Sequence, residues 1–106
     1  MTKDKIKHIR NKINNLDDKI LELLDKRSEL VSGIGKFKDI SKGVVDIKRE
    51  KSVLNRLLNN SRGTYSKDSI VRIWREIFYT SANIQLKKNN TLNSKRGIDS
   101  IKLYKG

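Results

Sequence analysis

The sequence has no cysteine, no proline, a single histidine and only six glycines; its aromatic residues are one tryptophan, three tyrosines and two phenylalanines among 106 positions. Without cysteine there is no disulfide framework, no thiolate nucleophile and no cysteine-based zinc or iron–sulfur site. With His8 alone there is no histidine set for a catalytic metal, and no metal or cofactor is expected. No stretch approaches the roughly 20 apolar residues of a membrane span. Met1 to Arg10 also lacks the apolar centre of a signal peptide, so a soluble cytoplasmic protein without membrane contact is expected. The length suits one small domain and does not supply two cores.

What the chain does have is charge. Lys and Arg number 25 against 12 Asp and Glu, a formal charge of +13, with an isoelectric point near 10.2. The partner or substrate is therefore expected to be anionic. The lack of proline and the abundance of Leu, Ile, Lys and Glu permit long helices and offer few hairpin turns, which points to an all-α fold.

Two apolar series with a step of seven begin near the N-terminus: Ile6, Ile13, Ile20, Arg27, Ile34, and Ile9, Leu16, Leu23, Leu30, Phe37. They form a sustained seam of the kind that packs one helix against another. A single helix from Lys5 to Phe37 would be about 50 Å long, whereas a globule of this size has a radius of gyration of about 13 Å. Much of the stripe would overhang in water, so a second copy of the chain is expected to cover it.

The pattern breaks at Lys38-Asp39-Ile40-Ser41-Lys42-Gly43, where Gly43 can supply a left-handed backbone position. Asp46 heads a second helix with Val53, Leu54, Leu57 and Leu58 at helical spacing, ended by Asn59-Asn60-Ser61-Arg62-Gly63. Ser66 is a suitable N-cap for a third, with Asp68 in its first turn and the stripe Ile70, Ile73, Trp74, Ile77, Phe78, Ser81, Ile84, Gln85. The expectation is three helices, long, short and medium, over residues 1–87. A basic tail over 88–106, without clear period, is expected to be flexible.

The informative residues are those that interrupt the apolar faces, because a charge at a seam is costly unless something opposite meets it. Arg27 occupies a seam position; it either snorkels or pairs with an acid, or it serves a site. Lys38 follows 11 positions later, within about 20° of the same azimuth and about 16 Å further along the axis if the helix persists. Arg10 lies about 100° away from Arg27 on the cylinder, so a dimer could deliver it to the neighbouring chain's groove. Asp46, Arg49, Glu50 and Val53 follow at i, i+3, i+4 and i+7; local salt bridges and a dipole contact would account for these charges without a site. Ser81 and Gln85 stand where Ile or Leu would continue a core stripe, and helix–helix hydrogen bonds could satisfy them. His8 reads as a solvated helix residue and Trp74 as packing.

Together these groups include no nucleophile–base pair and no glycine-rich phosphate loop. They suit a small, multiply anionic, hydroxylated molecule: guanidinium groups match carboxylates, Lys38 adds a point charge, and neutral Gln85 donates a hydrogen bond at any ordinary pH. Catalysis by such a set rests on orientation and on stabilising charge that develops in the transition state.

Five segments in order resemble the all-helical chorismate mutases: Ile9 to Asp17, Leu23 to Leu30, Ile34 to Lys38, Asp46 to Glu50, and Ser81 to Gln85. The resemblance covers about three quarters of the chain. It implies an intertwined, domain-swapped helical homodimer whose long first helices span two sites, and conversion of chorismate to prephenate by an intramolecular Claisen rearrangement, without cofactor or covalent intermediate. Arg27, and Arg10 from the partner subunit, would clamp the two carboxylates. Lys38 would bridge a carboxylate and the ether oxygen, and Gln85 would donate to that oxygen. Glu50 would accept from the ring hydroxyl, helped by the backbone at Asp46; Ser81 would contact the ring carboxylate and Arg49 would support the edge. Ile34, Val53, Ile77 and Phe78 would form apolar walls.

The sequence departs from the family pattern in the connection between Lys38 and Asp46, which is one residue shorter and lacks a proline often found there, and in its basic tail. Related helical proteins that release pyruvate from isochorismate tend to lack the Arg-Glu pair and the serine, so Arg49-Glu50 and Ser81 favour the mutase. A nucleic-acid-binding module is the reading suggested by +13 and by Lys88, Lys95, Arg96, Lys102 and Lys105. The cations that lie on apolar faces, and the scarcity of aromatic residues for stacking, speak against it. A structural coiled coil in which Arg27 and Gln85 only set register is the remaining alternative.

Overall fold

A computed structural model describes residues 1–38 and 43–93, with side chains described through Lys87 in the last helix. Helices α1 (Thr2–Phe37), α2 (Ile47–Asn60) and α3 (Lys67–Asn93) follow one another, with no strand among the described residues. The all-helical, long-short-medium order is the expected one. The chain divides into two compact units, the first Met1–Leu30 and the second beginning at Val31, so α1 contributes to both.

The first unit is one stretch of helix. Its surface carries i,i+4 support such as Lys26 Nζ to Glu22 Oε1 at 3.4 Å, an exposed pair worth little on its own. Its seam lies open to solvent: Ile6 is 43% exposed, Ile13 48%, Leu16 57% and Leu23 62%. Helix propensity holds the backbone, since no residue between Thr2 and Leu30 is Gly or Pro.

The second unit holds the core. Val31 at the end of α1, Val53 on α2, and Ile70, Phe78 and Ala82 on α3 are all buried, and α2 packs on α3. Burying an aliphatic or aromatic side chain of this size contributes about 1.5–3 kcal/mol. The helix starts follow the expected caps. Asp46 is in an extended conformation and its Oδ1 accepts from Arg49 N–H at 3.0 Å. Ser66 Oγ accepts from Ser69 N–H at 3.1 Å, while Ile70 N–H donates to Ser66 O at 3.0 Å. Between α2 and α3 the turn passes through Gly63 at φ +85°, whose N–H donates to Ser61 Oγ at 3.2 Å.

Helix α3 runs to Asn93, through positions that the sequence pattern assigns to the tail. A nucleated helix gains one backbone hydrogen bond for each residue it adds, so it can continue without an apolar period. Residues 94–106, and with them the expected flexible tail beyond the helix, lie outside the described residues. No helix among the described residues is long and apolar enough to cross a membrane.

Candidate functional site

Lys38 is the first candidate whose surroundings are distinctive. Its N–H donates to Ile34 O at 3.0 Å, so the last helical bond of α1 carries through to it. At the other end its ammonium donates to Val44 O at 2.9 Å and is partly buried. The side chain thus spans the connection between α1 and α2, fastened at both ends. A lysine stem ordinarily samples many rotamers; here the Val44 carbonyl fixes the charge, and an ammonium carries three N–H donors in all.

Asp46, Arg49 and Glu50 form the start of α2. Asp46 is spent on capping: its carboxylate takes the Arg49 N–H and its carbonyl takes the Glu50 N–H at 2.9 Å. That is the dipole contact expected of it, and it fixes the backbone that carries the other two. Arg49 is exposed and Glu50 half-buried, one turn before the buried Val53. Since α2 is amphipathic with its apolar face against α3, Glu50 sits at the border between water and core.

On α3, Phe78, Ala82 and Gln85 recur at i, i+4 and i+7, and all three are buried. Gln85 is 9% exposed and its Oε1 has no hydrogen-bond partner among the described residues. A buried polar atom left without a partner costs about 1–3 kcal/mol. A leucine at this position would avoid that cost, so stability does not account for the amide. Ser81, half-buried beside this face, donates from Oγ to Ile77 O at 2.7 Å. The hydroxyl is satisfied along its own helix, as residues of this kind often are; contact with a ligand carboxylate would require it to turn away from Ile77. Of the four candidate wall residues, Val53 and Phe78 are buried, Ile77 is half-buried and Ile34 is 54% exposed.

The remaining candidates belong to the first unit. Arg27 is half-buried. Arg10 is exposed and lines an open groove on α1 together with Lys3, Lys7 and Asn14. The second unit carries Ile34, Lys38, Asp46, Arg49, Glu50, Val53, Ile77, Phe78, Ser81 and Gln85. Within it, capping joins Asp46 to Arg49 and Glu50, and one hydrogen bond joins Lys38 to Val44. His8 is exposed, and Trp74 is half-buried on the apolar side of α3.

Two features escape a reading by side-chain type. The acceptor for Lys38 is a backbone carbonyl, which residue identity does not reveal. Asn83 has a buried Oδ1 without a partner among the described residues; the only signal for it in the sequence is an amide amid the apolar residues of α3. Gly43, by contrast, adopts the left-handed conformation expected of it, with φ +88°.

Comparison with known proteins gives these residues a common frame. The chorismate mutase type II family model matches residues 9–86, a span that contains every candidate named above. Similar curated proteins are bifunctional chorismate mutase/prephenate dehydratases. The one from Aquifex aeolicus (strain VF5) is 29% identical over 90 residues, covering 80% of this chain and 24% of that protein. The one from Buchnera aphidicola subsp. Schizaphis graminum (strain Sg) is 31% identical over 100 residues, covering 92% of this chain and 26% of its own length. The one from Neisseria gonorrhoeae (strain ATCC 700825 / FA 1090) is 34% identical over 68 residues, covering 64% and 18% respectively. The chain thus spans about a quarter of the length of the first two relatives. No solved structure matches it. A match that runs from the seam of α1, through the capped start of α2, to the buried amide of α3 leaves one assignment: the chain belongs to the chorismate mutase type II family.

Proposed function

We propose that this chain converts chorismate to prephenate in aromatic amino-acid biosynthesis, acting as an intertwined homodimer. The observation that carries the reading is the family match over residues 9–86, which takes in all the polar residues that interrupt the apolar faces. In the reaction a C–O bond breaks as a C–C bond forms within one molecule, and negative charge builds on the ether oxygen as the C–O bond opens. No electron or proton has to be taken from outside. The protein's task is to hold the reactive conformer and to place positive charge at that oxygen.

In this reading Arg27, and Arg10 of a second copy, hold the two carboxylates. Guanidinium groups suit them because paired N–H donors match a carboxylate's two oxygens. Lys38 stands between a carboxylate and the ether oxygen, using the ammonium donors that Val44 O leaves over. Gln85 donates its amide N–H to the same oxygen. Glu50 accepts from the ring hydroxyl, with the backbone at Asp46 beside it, while Ser81 turns to the ring carboxylate and Arg49 supports the edge. Val53, Ile77, Phe78 and Ile34 supply apolar surface around the ring. The open seam of α1 and the open groove around Arg10 are what a second copy would cover. Support for the exchange comes from the exposure of Ile6, Ile13, Leu16 and Leu23, which one chain alone leaves in water.

The direct test follows chorismate consumption by purified protein in the absence of metal and cofactor, with the product identified. Prephenate formation is expected. Failure to consume chorismate, together with pyruvate release from isochorismate, would instead assign the related lyase activity.

Gln85→Glu gives a sharper test of the role of the amide. A carboxylate cannot donate to the ether oxygen, whereas the protonated acid can. Burial at this position disfavours the charged form and pushes the new carboxyl above its ordinary range. Activity of the variant is expected to rise as pH falls through that raised value, while the parent stays flat over the same interval. Stability follows the same sign: the folded form binds the proton more tightly than the unfolded one, so the variant is most stable at acid pH and loses stability as pH rises. A pH profile parallel to that of the parent would remove Gln85 from the ether oxygen.

A further inference from the structure

We propose that Gly43 is a positioning residue for Lys38: its left-handed backbone aims the Val44 carbonyl at the lysine ammonium and so fixes where the positive charge stands. The inference rests on the reading of Lys38 as the cation of the rearrangement. Three observations carry it. Gly43 has φ +88°, a conformation that residues with a Cβ adopt at a cost. The next residue, Val44, offers its carbonyl to Lys38 Nζ at 2.9 Å. A Cβ built on Gly43 meets nothing within 4 Å among the described residues. Glycine is therefore not demanded there by crowding. What it supplies is the turn itself, and the turn delivers the acceptor.

The short connection between α1 and α2 explains why such a device is needed. Lys38 is the first residue after α1, with its N–H bonded to Ile34 O, and Asp46 is already the cap of α2. Only seven residues separate Lys38 from Asp46. A positive φ at Gly43 makes a sharp change of direction just before Val44, and the cross-connection bond from Lys38 closes it. Without that bond the lysine stem has free rotamers, and its charge is spread over a volume instead of held at a point. Positioning of this kind acts on rate through orientation, so its loss is read in turnover more than in substrate affinity.

Substitution at Gly43 tests the backbone alone, because space for a side chain is present. Gly43→Ala is expected to lower kcat/KM for chorismate by about tenfold, the equilibrium cost of forcing a left-handed residue. Gly43→Asn, which tolerates that conformation best among residues with a Cβ, should retain most of the activity. In a Lys38→Ala background the Gly43→Ala change should have no further effect on kcat/KM, since nothing remains to be positioned. Its effect on the thermal midpoint should be smaller in the Lys38→Ala background, where the bond to Val44 O is already gone, than in the parent.

A second measurement does not depend on turnover. The lysine ammonium signals in ¹H–¹⁵N spectra should include a slowly exchanging Lys38 resonance, assigned by its loss in Lys38→Ala. That resonance should broaden into exchange with water in Gly43→Ala and persist in Gly43→Asn. An unchanged Lys38 signal in Gly43→Ala would overturn the proposal, as would an equal activity loss with and without Lys38. If the parent protein leaves chorismate untouched, the proposed reaction fails and the ammonium spectra alone decide whether Gly43 positions Lys38.

Discussion

Lys38→Ala is expected to lower kcat/KM for chorismate by about a hundred- to a thousandfold, the range found when a preorganised donor to developing negative charge is removed. The loss should fall mainly on kcat. In the ground state the ether oxygen carries little charge and gains little from the ammonium; in the transition state it carries much more, so the interaction belongs chiefly to the barrier. A fall confined to KM would mean that Lys38 serves only to bind a carboxylate. Lys38→Arg separates charge from position. It keeps the positive charge but replaces a compact ammonium with a planar fork that cannot occupy the same point, so it should recover only part of the rate. The thermal midpoint serves as the control. Lys38 Nζ and Val44 O share one partly buried bond, and its loss exposes a carbonyl that water can reach, so the folded chain should survive the substitution with about 1 kcal/mol or less of lost stability.

The second large effect is a gain. Arg10→Ala and Lys38→Ala proteins should each be nearly inactive as homodimers, yet a mixture refolded together in equal amounts should recover about a quarter of the parental activity. Half of the dimers in such a mixture are heterodimers. In each of these, one site combines the intact Lys38 of one chain with the intact Arg10 of the other, while the second site carries both defects. The result requires that Arg10 act on the neighbouring chain's site. If both residues served the site of their own chain, no combination would restore a complete set and the mixture would stay inactive. The geometry within α1 motivates the experiment: Arg10 is exposed in a groove on the first unit, whereas Lys38 follows the last helical bond of the second.

Much of this arrangement is legible in the sequence because it rests on local rules. Asp46 and Ser66 mark helix starts by the need to satisfy orphan backbone N–H groups, and both do so in the structure. Gly43 marks a positive φ for the same kind of reason. The long heptad series marks α1 to within a few residues, ending at Phe37 as the pattern does. The polar residues stand out at Arg27, Ser81 and Gln85 because they interrupt apolar stripes. Other features are hidden by the same logic. The division after Leu30 follows from the packing of the folded chain and from no local pattern. The continuation of α3 to Asn93 follows from helix propagation and not from any apolar period. The bond from Lys38 to Val44 has a backbone acceptor, so no side-chain pattern announces it. Ser81, too, is ambiguous until the bond to Ile77 O shows where its hydroxyl proton goes.

The open stripe on α1 is charged unevenly along its length. Between Lys3 and Lys12 stand Lys3, Lys5, Lys7, Arg10 and Lys12 against Asp4; between Asp17 and Glu29 stand Asp17, Asp18, Glu22, Asp25 and Glu29 against Lys19, Lys26 and Arg27. Two copies lying side by side in parallel would set the basic end on the basic end and the acidic middle on the acidic middle. Lying antiparallel, each basic end can face the other's acidic middle, and like charges are drawn apart. The apolar residues repeat every seven positions and look nearly the same from either direction. In a pair of copies, polarity along the helix would therefore choose the orientation that hydrophobic contact alone leaves undecided.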